Sequence, residues 1–169
     1  AAAAGKPGVA RGALGLLRNQ RLRTVYLLTA LHVSAWEVFV FLVPIYGTGI
    51  GLAATSIGLI LGAFATATFC VRILLSYFAR RFASLALIRA SLVLAGCLFI
   101  AFPLVSSVPG LAGPAIILGL GLGVPQPLAL TVLHESAPHD RTGEAVGLRT
   151  AVVNLTASAT PLVYGALGT

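Results

Sequence analysis

A glutamate stands near the middle of a long apolar run. Glu37 lies in the stretch TVYLLTALHVSAWEVFVFLVPIY, residues 24–46, just past its centre, about 3 Å along a helix rising 1.5 Å per residue. A carboxyl among apolar side chains is costly, and inside a bilayer such a group is a functional candidate by default. Moving between dry and wetted surroundings, it could take up and release a coupling proton. The other reading is a protonated or hydrogen-bonded structural carboxyl turned to the interior of a helix bundle. His32 and Trp36 share one helix face, whereas Glu37 lies about 140° round the helix from His32. For His32 the chemistry is a helix–helix hydrogen bond or proton transfer. For Trp36 it is packing, lipid contact or the wall of an aromatic pocket. Gln126 and Asn154 are neutral polar groups deep in later apolar runs, placed to touch a solute or to bond across helices for about 1 kcal/mol. These five residues are the candidates for a substrate or proton pathway.

A second group flanks the polar turns: Arg72, Arg81, Arg141, Glu144 and Arg149 are candidates for cytoplasmic loop or gate residues. Arg141 and Glu144 are spaced to pair on a helix. Arg72 lies about 7.5 Å from the middle of its run, so its long stem could snorkel to the interface rather than reach Glu37. No arrangement of serine, histidine and acid forms a hydrolytic triad. Cys70 and Cys97 both sit in apolar runs and read as small packing residues, and no Cys/His spacing resembles a metal site. Gly119, Gly121 and Gly123 fail the spacing of a dinucleotide fingerprint and lack its strand–turn–helix setting. Nothing here asks for a cofactor or a metal, and the chain does not read as an enzyme.

The elements that carry these residues follow from composition. The chain is 58% hydrophobic and 9% charged, with a mean hydropathy of +1.00. A soluble domain carries about 25% charged residues, so lipid is the expected solvent. The fold class is an all-α, polytopic membrane bundle of five helices at about 24–46, 56–78, 85–104, 115–133 and 145–167. Residues 1–23 read as a basic linker, either flexible or ending in a short surface helix that lays Leu14, Leu17 and Leu22 on lipid. Residues 24–169 read as the transmembrane unit. Gly58, Gly62 and Thr66 form a ridge of small residues on which a neighbouring helix could pack closely. Pro125 and Pro127 bend the fourth span. The stretch SSVPGLAGP, residues 106–114, reads as a short loop, and Asp140 is placed to cap the fifth helix.

The formal charge of +7 is distributed by side. Lys6, Arg11, Arg18, Arg21 and Arg23 precede the first span. Arg80, Arg81 and Arg89 mark the turn between the second and third, and Arg141 and Arg149 flank the loop before the fifth. The intervening loops, 47–55 and 106–114, have none. Basic residues gather on the cytoplasmic side of membrane proteins, which predicts a cytoplasmic N-terminus in the inner (plasma) membrane and excludes nucleic acid as the partner of the basic charge.

Three features then resemble the major facilitator superfamily. The stretch RILLSYFARRFAS holds Arg72 and Arg81 in the frame R-x-x-x-G-x-x-x-D-R-x-G-R of that family's cytoplasmic loop, departing at Ser76, Arg80, Ala83 and the final Ser84. The fourth span ends in GLGLGVPQP. The run PHDRTGEAVGLR places Arg141, Gly143, Ala145, Gly147, Leu148 and Arg149 like the segment preceding the family's eleventh helix. The resemblance implies helices seven to eleven of a transporter, its partners being the lipid bilayer, a small-molecule solute, and an N-terminal half and last helix outside this chain. The absence of methionine fits a fragment. It also implies transport of a small solute by alternating access, with proton coupling through Glu37 as the sharper version. Arg80, standing where the family has an acid, cannot play that acid's part in a gate. The alternative, from another class, is a five-span structural or assembly subunit with no transport of its own.

Overall fold

The computed structural model describes residues 15–78 and 84–167. Arg81 and the basic turn around it lie outside the described residues, as does most of the N-terminal linker. Among the described residues every regular element is helical: α1 (Gln20–Gly49), α2 (Ala54–Phe78), α3 (Ser84–Ala101), α4 (Val108–Gly123), α5 (Pro125–Ser136) and α6 (Thr142–Leu167), with single 3-10 turns at Phe102–Leu104 and His139–Arg141. Helices α4 and α5 are two parts of one span, so five helices cross the bundle. Four of them are long and apolar enough to traverse a membrane: Gln20–Gly49, Ala54–Leu75, Ser84–Leu104 and Val108–Ser136. Helix α6 has 26 residues, about 39 Å at 1.5 Å each. It is long enough but less apolar, because Glu144, Arg149, Asn154 and several threonines interrupt it.

Helix ends account for the differences from the expected boundaries. Asn19 caps α1, its Oδ1 accepting from the Arg21 amide at 3.0 Å, so α1 starts before the apolar run does. Its far end closes at Gly51, whose φ of +78° is the left-handed region that glycine occupies without strain. The stretch 106–114 is mostly helix rather than loop. Ser107 caps α4 by accepting from the Gly110 amide at 3.3 Å, and Pro109 sits in the first turn, where a missing amide costs nothing. Asp140 does not cap α6. It lies inside the 3-10 turn, and Thr142 Oγ1 instead donates to the carbonyls of Pro138 and His139 at 3.2 and 3.4 Å.

The break between α4 and α5 falls at Val124. Pro125 has no amide to offer the Gly121 carbonyl, which accepts from the Val124 amide at 3.3 Å instead. The closest helix pair is α2 with α4, and its contact is made by glycines of α4. A Cβ at Gly119 would collide with the Phe64 carbonyl and stand 2.9 Å from Ala67 Cβ. One at Gly123 would meet Val71 and stand 2.9 Å from the Thr68 carbonyl. The expected ridge on α2 is not this contact: nothing lies within 4 Å of an added Cβ at Gly58 or Gly62, and Thr66 Oγ1 bonds its own helix at Gly62.

The interior has two apolar clusters. One, nearer the N-terminus of α1, gathers Leu16, Leu22, Val25, Tyr26, Ile88 and Leu133. The other gathers Phe39, Ile60, Phe64, Phe102, Leu118 and Leu122. Leu22 is fully buried and Leu16 nearly so, which corrects the expectation that Leu22 lies on lipid. Tyr26 Oη donates to the Ala145 carbonyl at 3.3 Å and Asn19 Nδ2 to the Ser136 carbonyl at 3.4 Å, tying the start of α1 to α5 and α6. Leu27, Leu31, Leu59, Phe69, Val93 and Ile100 all point outward and more than half exposed, as a lipid-facing surface requires. Cys70 and Cys97 are also on that surface, as free thiols, rather than packed inside.

Candidate functional site

Between the two apolar clusters the interior turns polar. Among the described residues six that are buried are polar or charged: Thr29, His32, Thr68, Ser91, Arg149 and Thr160. All but Thr160 fall in the gap. On α1 the clusters take residues 22–26 and 39–43, leaving Thr29 and His32 between them. On α3, Ser91 lies between Ile88 and Ala95; on the broken span, Pro125 and Gln126 lie between Leu122 and Leu128. Thr68 Oγ1 donates to the Gly119 carbonyl at 3.1 Å and Ser91 Oγ to the Leu87 carbonyl at 2.9 Å, so both are satisfied. Arg72 Nη2 donates to Gln126 Oε1 at 2.6 Å, joining α2 to the first turn of α5.

A narrow crevice runs into this polar layer, lined by Leu28, Thr29, His32, Ile88, Gln126 and Arg149 and too tight for a water molecule. His32 is 5% and Arg149 8% exposed. Arg149, placed by its sequence position among loop and gate candidates, stands inside the bundle beside His32 and Gln126. Thr29 is also there, unremarked in the sequence although it shares a helix face with His32.

The remaining candidates are dispersed. Glu37 is half-buried on α1 and forms no hydrogen bond or ion pair among the described residues. Trp36 packs edge-on to Phe64 of α2, ring centroids 4.8 Å apart, and lies 6.5 Å from the His32 ring. Phe64 stacks in turn near Phe39 at 4.3 Å, so Trp36 belongs to an aromatic row between helices. Asn154 is exposed on α6. Arg141 and Glu144 pair as their spacing suggests, Nη2 to Oε2 at 2.7 Å and Nε to Oε2 at 3.1 Å. Both are partly open to solvent, where such pairs contribute about 0–1 kcal/mol. Arg141 also comes close to the N-terminal segment: a Cβ at Gly15 would be 3.5 Å from its Nη1.

A second cavity, an apolar groove of about 520 Å³, opens between α1, α3 and α6, lined by residues such as Leu31, Phe39, Gly96, Phe99, Phe102 and Tyr164. Ser34 Oγ and Thr160 Oγ1, 3.3 Å apart, bridge α1 and α6 at this level. Among the described residues no group of His, Cys, Asp and Glu could hold a metal ion.

A family model described as Major Facilitator Superfamily matches residues 2–161. No curated protein and no solved structure matches the chain.

Proposed function

Because the chain belongs to the Major Facilitator Superfamily, a family of membrane secondary transporters, we propose that it moves a small solute by alternating access and couples that movement to a proton carried by Glu37. The observation that carries this reading is the position of Glu37. It stands about 4 Å past the middle of α1, half-buried, with no partner among the described residues. A carboxyl at that depth with no fixed partner is free to exchange a proton as water reaches it from one side and then the other.

In this reading all five helices cross the bilayer, α6 included, and rock against a second bundle that completes the transporter. The N-terminus and the turn carrying Arg80 and Arg81 face the cytoplasm of an inner-membrane protein, on the strength of the basic residues gathered there. The Arg141–Glu144 pair lies on the same side, at the start of α6. Arg80 replaces the family's acid, so the turn keeps its place in the fold without that acid's part in a gate.

The test is Glu37→Gln in the complete transporter, reconstituted in vesicles. Uptake driven by a pH gradient should be lost while solute–solute exchange persists, because exchange needs no net proton movement. Uptake driven as well as in the parent protein would remove Glu37 from the coupling.

A further inference from the structure

We infer that the crevice between α1, α3, α5 and α6 binds a small carboxylate, held by Arg149 with His32, Thr29 and Gln126; that this carboxylate belongs to the transported solute rests on the transporter reading above. Four buried side-chain polar atoms among the described residues have no hydrogen-bond partner: Thr29 Oγ1, His32 Nδ1, Ser136 Oγ and Arg149 Nε. Three of the four belong to residues lining this one crevice. Buried polar atoms are otherwise almost always paired, so three together mark a place where something is bound.

Its chemistry follows from what is left to bond. The Gln126 carbonyl oxygen already accepts from Arg72, which leaves the Gln126 amide nitrogen as its donor. Arg149 Nε can only donate, and the Thr29 hydroxyl and the His32 ring are each able to donate to the same ligand; a buried cation ringed by such groups suits an anion. The chain cannot supply one. Its 4 acids are Glu37, Glu135, Asp140 and Glu144, and none lines the crevice. Glu37 is about 140° round α1 from His32, Glu135 and Asp140 are exposed, and Glu144 is taken by Arg141. A buried guanidinium with no counter-charge is strongly unfavourable, and the planar fork of arginine matches a carboxylate.

The charge selects a monoanion. Arg149 is the one cation among the lining residues, while Arg72 is exposed and occupied with Gln126. A divalent oxyanion would bring a second charge with no buried cation to meet it. The crevice must widen to admit the ligand, and it adjoins a place that can give: Pro125 and Gln126 follow directly on the break at Val124.

Trp36, the only tryptophan of the chain, lies 6.5 Å from His32 and is a built-in reporter. The chain in lipid nanodiscs is titrated with acetate and benzoate, with acetamide and benzamide as uncharged counterparts and sulfate as the divalent anion, at constant chloride. The carboxylates should change Trp36 fluorescence saturably and the amides should not. Arg149→Gln should weaken binding about tenfold or more, Thr29→Ala by several fold, and Arg141→Gln not at all. If Arg149→Gln does not fold, Thr29→Ala and His32→Gln decide. No saturable response, equal response to amides, preference for sulfate, or binding indifferent to Arg149 and Thr29 each overturns the site. Carboxylate binding with no solute movement by the complete protein keeps the site and removes the transporter reading. Movement of a neutral solute with no carboxylate binding does the reverse.

Discussion

Arg72 on α2 donates to Gln126 at the start of α5 across 2.6 Å, and this bond is made where the fourth span is broken. Pro125 and Pro127 withhold two backbone amides from the α4–α5 junction. A span weakened there is held by a side-chain bond to its neighbour and by Thr68 on the Gly119 carbonyl. The arginine thus reaches along the bundle surface to a neighbouring helix instead of stretching to the interface.

The bond should be measurable as coupling. In a double-mutant cycle of Arg72→Leu and Gln126→Leu, thermal unfolding in detergent should give a coupling of about 1 kcal/mol. Strictly additive losses would mean the two side chains stabilise the bundle independently.

Glycine placement gives a sharper contrast. Gly119→Ala and Gly123→Ala push a methyl against backbone or side chain of α2 and should each cost about 1–3 kcal/mol. Gly58→Ala and Gly62→Ala enter open space within this chain and should be neutral or gain up to about 1 kcal/mol from helix propensity. The comparison is of melting temperatures of the four variants in one detergent.

Much of the architecture is legible from residues alone. Apolar run lengths and the alternation of basic and uncharged loops place the five helices, because lipid requires both. Faces are not legible in the same way. Leu22 and Leu27 are chemically identical, yet one is fully buried and the other 60% exposed, since lipid and protein interior are equally apolar and no amphipathic stripe separates them. Thus Gly58 and Gly62 looked like the packing ridge while Gly119 and Gly123 carry it. Arg149 is the same problem for a charge. About two turns into α6 and next to a polar loop, it reads as an interface position, but the helix turns it inward beside His32, and no local pattern announces that. Caps were not legible either: Asn19 and Ser107 start their helices before the apolar runs begin, and Asp140 does not cap because the chain makes a 3-10 turn first.

That difference between two leucines is itself testable. Leu22→Ala opens a cavity in a filled core and should cost about 2–5 kcal/mol, whereas Leu27→Ala faces outward and should cost well under about 1 kcal/mol. Equal losses in a denaturation series would contradict the assigned faces of α1.

The Arg141–Glu144 pair should matter little to stability. Partly exposed at 29% and 42%, it should contribute about 0–1 kcal/mol, and less in high salt. Melting curves of Glu144→Gln at low and high ionic strength check this; a loss of several kcal/mol would show the pair to be part of a larger network.

The most direct test of the account is proton movement itself. The complete transporter is reconstituted in lightly buffered vesicles, a panel of solutes is added, and the outside pH is followed with an electrode. The parent protein should move protons together with its solute, and Glu37→Gln should move solute by exchange with no proton signal. Proton movement undiminished in Glu37→Gln would contradict the role assigned to this carboxyl and leave the coupling to be carried by another group.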